Sequence, residues 1–267
     1  MIWINLSKAE SNSILKMNFY SVIIGTELLN GRREDAHFSF LNNELLKRGW
    51  IHKGSFVIKD EPDFIKAVFE LVKSDPKSVM FSFGGIGATP DDYTRECAAK
   101  VFTDGKMEIN EGAKAAIIER FGQKDAYPHR INMAHLPINA GLLKNVVSNV
   151  PGFYVDKRFF FVPGFPSMAT HMIVEALEKY YPQNQEKTYK KVLSATASEN
   201  EFINTMKEVS EKVDLSSLPI MEGDKRYCVL SISSNSEELT NKEFEKFVEY
   251  CKDNNIEFVL EDIRQKV

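Results

Sequence analysis

Between Phe19 and Phe102 the chain alternates short apolar runs with longer stretches of helical periodicity, and this alternation restricts the fold more than any other feature. "FYSVIIG" (Phe19 to Gly25) is β-branched, apolar and stopped by glycine, which reads as a buried strand. "EDAHFSFLNNELLKRG" follows, with Phe38, Leu41, Leu45 and Leu46 at helical spacing and Gly49 suited to the C-cap. "WIHKGSFVIK" returns to strand, and "EPDFIKAVFELVKS" is a helix with Pro62 near its start. "SVMFSF" is strand again, and "DDYTRECAAKVF" is helix. Repeated strand–helix–strand units predict an α/β fold, a three-layer α/β/α domain with a mostly parallel sheet. Ligands of such sheets bind beyond the carboxyl ends of the strands. Gly25-Thr26-Glu27, Asp60 and the loop beginning at Gly84 each follow a predicted strand, so they are expected on one edge.

Residues 107–122 read as a further helix ending near Gly122, and "AYPHRINMAHLPINAGLLKN" as an irregular segment. "RFFFVPGFPSMATHMIVEALEKYY" gives a strand, a Pro-Gly-x-Pro turn and a long helix; Pro182 and "QNQEK" read as a linker. From Thr188 the order becomes β-α-β-β-α-β, with "LPIM" as one strand and "IEFVL" as the last, which predicts a small α+β domain. The expected organisation is an extension over 1–18, either disordered or an artefact of start-codon choice, then domains over 19–182 and 188–267.

A net charge of −4 gives no broad attraction to nucleic acid or anionic membrane. No apolar run approaches the roughly 18 residues of a membrane helix. The first 18 residues lack a basic start and are interrupted by Lys8 and Glu10, unlike a signal peptide. Cys97, Cys228 and Cys251 are odd in number and form no CxxC pair, so free thiols in a reducing cytoplasm are expected. The histidines show no metal-ligand spacing, and no Ser-His-Asp arrangement can be argued.

The chemistry concentrates in "SFGGIGATPDDYTRE" (Ser82 to Glu96). Gly84, Gly85 and Gly87 follow a strand directly, and without Cβ atoms their backbone can approach a ligand and offer N–H groups. This is neither a Walker motif nor the GxGxxG fingerprint. Two readings of the next residues stay open. In one, Thr89 is an N-cap, Pro90 sits at N1, and Asp92 at N3 completes a capping box. In the other, Asp91 and Asp92 tolerate a neighbouring phosphate because Mg²⁺ lies between, which suits diphosphates. Glu27, Asp35 and Asp60 read equally as helix or turn acids and as site residues. In "VPGFPS", Pro163, Gly164 and Pro166 form a turn before a helix N-terminus, where Ser167 can cap and the backbone can face a ligand.

In this order "IGTELLNG", "KDEP", "FSFGGIGATPDDYTRE", "MAHLPINAGLLKN", "VPGF" and "FVPGFPSMA" resemble the competence/damage-inducible protein A (CinA) family. More narrowly they resemble its N-terminal molybdopterin-binding-like (MoaB/Mog) domain, shared with molybdenum-cofactor biosynthesis proteins and eukaryotic FAD synthases. The resemblance covers about Phe19 to Pro182, and the remainder resembles the family's KH-like second domain. It implies a homo-oligomer and a small-molecule nucleotide or pterin ligand. By motif position Gly84, Gly85, Gly87, Asp92 and Thr94 match the loop that contacts the pterin phosphate region in relatives. CinA-type domains are associated with metal-dependent hydrolysis of ADP-ribose-like diphosphates. The resemblance thus implies a metal-dependent nucleotide pyrophosphatase. Asp91 and Asp92 would hold Mg²⁺ or another divalent cation, and Glu27, which matches the family's "GxEL", would assist as metal ligand or water-orienting base. Asp35 matches the acid after the glycine turn. Gly25, Thr26, Asp60, Thr89, Pro163, Gly164 and Pro166 complete the expected ligand-binding set.

The alternative is a molybdopterin-binding protein of molybdenum-cofactor biosynthesis or handling, without hydrolysis. Against it, Asp91 stands where many such relatives carry arginine. Two departures stand out. Ser82-Phe83-Gly84-Gly85-Ile86-Gly87-Ala88 replaces Thr-Thr-Gly-Gly-Leu-Gly-Pro, and Asp35-Ala36-His37 replaces Asp-Thr-Asn, which removes a hydroxyl and an amide as ligand contacts. The second domain has no GxxG clamp and an acidic interhelical segment, so nucleic acid is not an expected partner. The deamidase domain of longer family members lies beyond the resemblance, and deamidase activity is not expected.

Overall fold

In the computed structural model, which describes residues 17–223 and 225–263, the alternating segment supplies three strands of a six-stranded sheet. Residues 1–16 of the expected extension lie outside the described residues. In chain order come β1 (Asn18–Ile24), α1 (Thr26–Leu29), α2 (His37–Lys47), β2 (Ile51–Ile58), α3 (Pro62–Lys73), β3 (Ser78–Phe83) and α4 (Thr94–Phe102). Then follow β4 (Met107–Ile109), α5 (Glu111–Ala126), β5 (His135–Pro137), β6 (Gly141–Leu143), β7 (Gly152–Val155), β8 (Phe159–Val162) and α6 (Pro166–Tyr180). The sheet order is β2-β1-β3-β8-β7-β6. It is parallel from β2 to β8, and antiparallel through β7 and β6.

Side-chain alternation explains why these strands read as unbroken apolar runs. Phe19, Ile23, Val79, Phe81, Phe160 and Val162 face Leu41 and Leu45 of α2 and Met172, Ile173 and Leu177 of α6. Val22, Ile24, Met80, Phe159 and Phe161 face Ile65, Phe69 and Val72 of α3, with Ala98 of α4 and Ile117 of α5. A strand covered on both faces has no solvent side to leave polar. All six residues of β3 are buried, which makes it the central strand from which the glycine loop hangs.

Several local expectations change. Phe38 and Leu46 are 45% and 63% exposed, because α2 turns His37, Leu41, Glu44 and Leu45 inward instead. Residues 107–109 pair with β5 as a strand, and α5 begins only at Glu111, capped by the Asn110 side chain. Gly122 does interrupt α5, at φ +76°. The helix after the glycine loop starts at Thr94, not at Pro90 behind a Thr89 cap.

Asp75 ties β1 and β2 to the turn before β3. Its carboxylate accepts hydrogen bonds from Asn18 Nδ2 (2.8 Å), Tyr20 Oη (2.9 Å), Lys53 Nζ (3.0 Å) and the Lys77 N–H (2.9 Å). Burial pushes this carboxyl up, but the Lys77, Lys53, Asn18 and Tyr20 donors outweigh it and hold it well below its ordinary 3.8. A carboxyl depressed in the folded state stabilises fully above its unfolded pKa, and that contribution fades as pH falls toward the folded value. Asp75→Asn is therefore expected to lower stability at pH 6, with the gap to wild type narrowing once pH drops below about 4. Urea unfolding at several pH values checks this; a gap that stays constant down to about pH 3 contradicts it.

The second compact unit begins at Gln185. It contains β9 (Tyr189–Ala195), α7 (Glu199–Ser210), β10 (Asp214–Glu222), β11 (Lys225–Ser234), α8 (Glu237–Asp253) and β12 (Phe258–Val259). Its antiparallel sheet has the order β10-β11-β9-β12. Alternate residues Leu193, Ala195, Cys228, Leu230 and Ile232 bury against Phe202 of α7 and Phe244 and Phe247 of α8. Ser198 and Glu201 close a capping box at the start of α7. The expected last strand shrinks to Phe258–Val259. Among the described residues no helix is long and apolar enough to cross a membrane.

Candidate functional site

A cavity of about 520 Å³ opens beyond the carboxyl ends of the parallel strands. Its walls include Gly25 and Glu27 after β1, Asp60 after β2, Gly84 to Thr89 with Asp91 and Asp92 after β3, and Pro163 and Gly164 after β8. Parallel topology thus brings together most of the sequence-predicted residues. Phe121, Met133, Asn145, Ser148 and Pro151 supply walls from the irregular half of the unit.

The glycine loop is shaped by its own packing as well as by any ligand. Gly84 and Gly85 have φ of +95° and +66°. A Cβ at Gly84 would run into the Ile24 carbonyl oxygen, and one at Gly85 into the Thr94 hydroxyl. One at Gly87 would lie 2.6 Å from Asp92 Oδ2. The Gly84 N–H donates to the Val162 carbonyl (3.0 Å), which joins the loop to β8. Thr94 fixes the far end: its hydroxyl donates to Gly84 O (3.0 Å) and its N–H to Gly85 O (3.0 Å). Arg95, 4% exposed, donates from Nη1 to Ile86 O (2.7 Å) and to Gly87 O. Burial lowers its pKa, opposed by Glu96 and Asp92.

The two readings of "TPDD" resolve into a third arrangement. Asp92 N–H donates to Thr89 O (3.0 Å), while Asp92 Oδ2 accepts from the Thr89 N–H (2.8 Å) and hydroxyl (2.5 Å). Only the Thr89 N–H to Asp92 carboxylate half of a capping box forms, on an isolated turn, because Thr94 is pinned to the glycines and the helix waits for it. The Thr89 hydroxyl also draws the exposed Asp91 carboxyl below its usual range, with help from the Asp91 backbone N–H.

Other predicted residues serve as braces. Asp60 Oδ2 accepts from the Thr26 N–H (2.7 Å) and hydroxyl (2.9 Å), locking the start of α1 to the end of β2. Asp35 lies outside the cavity wall and accepts from the His37 N–H (2.9 Å) and Phe38 N–H (3.0 Å), capping α2. Thr26, Thr94 and Pro166 are also absent from the wall; Pro166 is the first residue of α6. Glu27 does not join the aspartates. Its carboxylate folds over Gly25 and lies 3.5 Å from Arg33. Among the described residues no three His, Cys, Asp or Glu side chains converge to hold an ion unaided, so the expected three-carboxylate metal set is not formed. Asp91 and Asp92 remain on one wall, a donor pair that fits Mg²⁺ in its common mode of one or two carboxylates plus ligand phosphate.

Sequence reasoning did not find Arg33 and His37. Arg33 lines the cavity and donates from Nη2 to Gly164 O (2.6 Å). His37, 5% exposed, holds the same carbonyl through Nε2 (3.1 Å). Burial lowers its pKa, partly offset by the Gly164 carbonyl, so the neutral ring donates its Nε2–H. His37 stacks on Phe83, ring centroids 4.5 Å apart. Phe83 and His37, which both depart from the family pattern, are thus partners buried beneath the site, while Ile86 and Ala88 of the altered loop residues reach the cavity. An Arg-Arg pair just after a glycine turn in an acidic site was the available signal for Arg33.

Residues 21–183 match the family described as a probable molybdopterin binding domain. The chain is similar to a protein of Thermoplasma acidophilum, at 32% identity over 59% of this chain and 62% of that protein. It is also similar to a CinA-like protein of Fusobacterium nucleatum, at 28% identity over 72% of this chain and 48% of that one. The chain therefore spans less than two thirds of the length of these two relatives. Among solved structures it resembles a crystal structure of the protein CinA, titled as of unknown function, from Thermoplasma acidophilum. That match has 31% identity and a TM-score of 0.55, and covers 61% of this chain and 96% of that one. A family match across most of the first unit, together with a CinA structure covered almost from end to end, means that this chain belongs to the CinA family, with a molybdopterin-binding-like (MoaB/Mog) domain.

Proposed function

We propose that this cavity binds a nucleotide diphosphate of the ADP-ribose type and hydrolyses its diphosphate with the help of a divalent cation. The carrying observation is a charge imbalance. Glu27, Asp60, Asp91 and Asp92 line a glycine-rich cradle whose one basic wall residue, among those described, is Arg33. An anion cradle of that composition would repel a bare diphosphate, and a cation entering with the ligand removes the conflict.

In this reading the glycine-loop backbone would receive the phosphate oxygens, and Asp91 and Asp92 would hold the cation. When bound, the cation supplies polarisation of a phosphoryl oxygen and a lowered pKa for water. Glu27, 38% exposed, orients the attacking water. Phe121, Met133 and Val150 offer apolar surface for the remainder of the ligand.

The test is a screen of the wild-type protein against nucleoside diphosphate compounds with Mg²⁺, Mn²⁺ or no cation. Release of a nucleoside monophosphate only with a divalent cation, abolished by chelation, is expected. Undiminished turnover in chelator overturns the metal dependence. Tight pterin binding with no nucleotide turnover transfers the site to the molybdopterin-binding reading.

A further inference from the structure

We propose that Arg33 is the phosphate-recognising side chain of this cavity and that Glu27 competes with the ligand for it. The inference rests on the proposed reading of the cavity as a diphosphate site and adds the residue that discriminates charged from uncharged ligands.

Arg33 is positioned by backbone, not by chance. Gly31, at φ +76°, reverses the chain after α1, and the N–H groups of Arg32 and Arg33 both return to Glu27 O (3.1 Å each). The side chain then reaches Gly164 O, and its guanidinium carbon lies 5.7 Å from the Phe165 ring centroid. Gly164 abuts the first glycine of the cradle: a Cβ on it would meet Gly84 Cα at 3.4 Å. The guanidinium is thus anchored beside the phosphate cradle while its side chain keeps 33% of its exposure.

A guanidinium carries five N–H donors in a planar fork. One is spent on Gly164 O. Glu27 Oε1 stands 3.5 Å from Nη1, an ion pair too long for a good hydrogen bond. The donors on that side are therefore poorly satisfied, and a phosphate can take them in bidentate geometry. Neutral His37 shares the hold on Gly164 O, so the loop keeps one anchor while Arg33 turns to the ligand.

This arrangement makes opposite predictions for two neighbouring residues. Arg33→Met removes the fork and is expected to weaken ADP binding about ten- to hundredfold while leaving adenosine affinity unchanged. Glu27→Gln removes the competitor and is expected to tighten ADP binding several-fold in the absence of divalent cation. If Glu27 were instead a metal ligand, Glu27→Gln would weaken Mg²⁺-dependent ADP binding and leave cation-free binding unchanged. Isothermal titration of ADP and adenosine, with Mg²⁺ and with chelator, measures all of these, and Arg33→Lys separates bidentate recognition from charge alone. Wild-type affinity for ADP in Arg33→Met, or no gain in cation-free Glu27→Gln, overturns the assignment while the diphosphate reading stands. A wild-type protein that binds no diphosphate in any condition overturns both.

Discussion

Gly84→Ala is expected to be the most destabilising single substitution in the cradle. At φ +95° an L side chain is strained, at a cost of about 1–2 kcal/mol. The added methyl also falls on the Ile24 carbonyl oxygen. That atom is backbone at the end of β1, held in register with Ile58 of β2, so it cannot move aside as a flexible side chain would. Overpacking of this kind adds about 1–3 kcal/mol. The total, about 2–5 kcal/mol, corresponds to a fall in melting temperature on the order of 10 °C for a unit of this size. Gly31→Ala is the control for the clash: φ is +76° but a Cβ there meets nothing within 4 Å, so only the backbone strain applies. Thermal unfolding of both variants checks the argument; a Gly84→Ala protein that melts with the Gly31→Ala protein contradicts it.

Asp92→Asn is expected to lower turnover about a hundredfold or more while leaving the fold intact. The amide oxygen can still accept from the Thr89 N–H and hydroxyl, so the turn survives. What disappears is a negative charge on the cavity wall, which the proposed reading assigns to holding the cation. Asp92→Ala loses the turn as well, and is expected to show looser substrate binding on top of the lost turnover. Steady-state kinetics across divalent-cation concentrations, paired with thermal melts, separate these effects. Unchanged turnover in Asp92→Asn would remove this carboxylate from the chemistry.

The sequence carried the frame of this site because its largest determinant is topological. Strands buried on both faces announce themselves as apolar runs, and parallel strands must end on the same edge. Gly25, Asp60 and Gly84 could therefore be assigned to one place before any distance was known. What stayed hidden depended on competition between local interactions. Thr89 and Asp92 have the chemistry of a helix cap, and they use it, but Thr94 is already committed to the carbonyls of Gly84 and Gly85. No pattern in "TPDDYT" reveals which pair wins. Asp35 reads like a ligand residue because a capping aspartate and a binding aspartate look the same in sequence. The Phe83–His37 stack was invisible for another reason: each departure was legible alone, but their contact spans two elements. The far wall from Met133 to Pro151 has no periodicity to read.

The apposition of Gly84 and Gly164 also sets a timetable. β3 and β8 are neighbours in the sheet but far apart along the chain. As the polypeptide leaves the ribosome, the acidic wall emerges early: Glu27, Asp60, Asp91 and Asp92 all precede β8. Arg33 and His37 emerge early too, with no Gly164 carbonyl to grip. Parallel pairing across so long a separation is slow, because loop closure must come before any contact rewards it. The nascent chain thus displays a negatively charged half-pocket with an open strand edge, and the Gly84–Gly164 wall is complete only when β8 docks. Binding of the proposed diphosphate is therefore expected to require the β3–β8 pairing, so ligand present during synthesis would act on a chain whose β8 has docked.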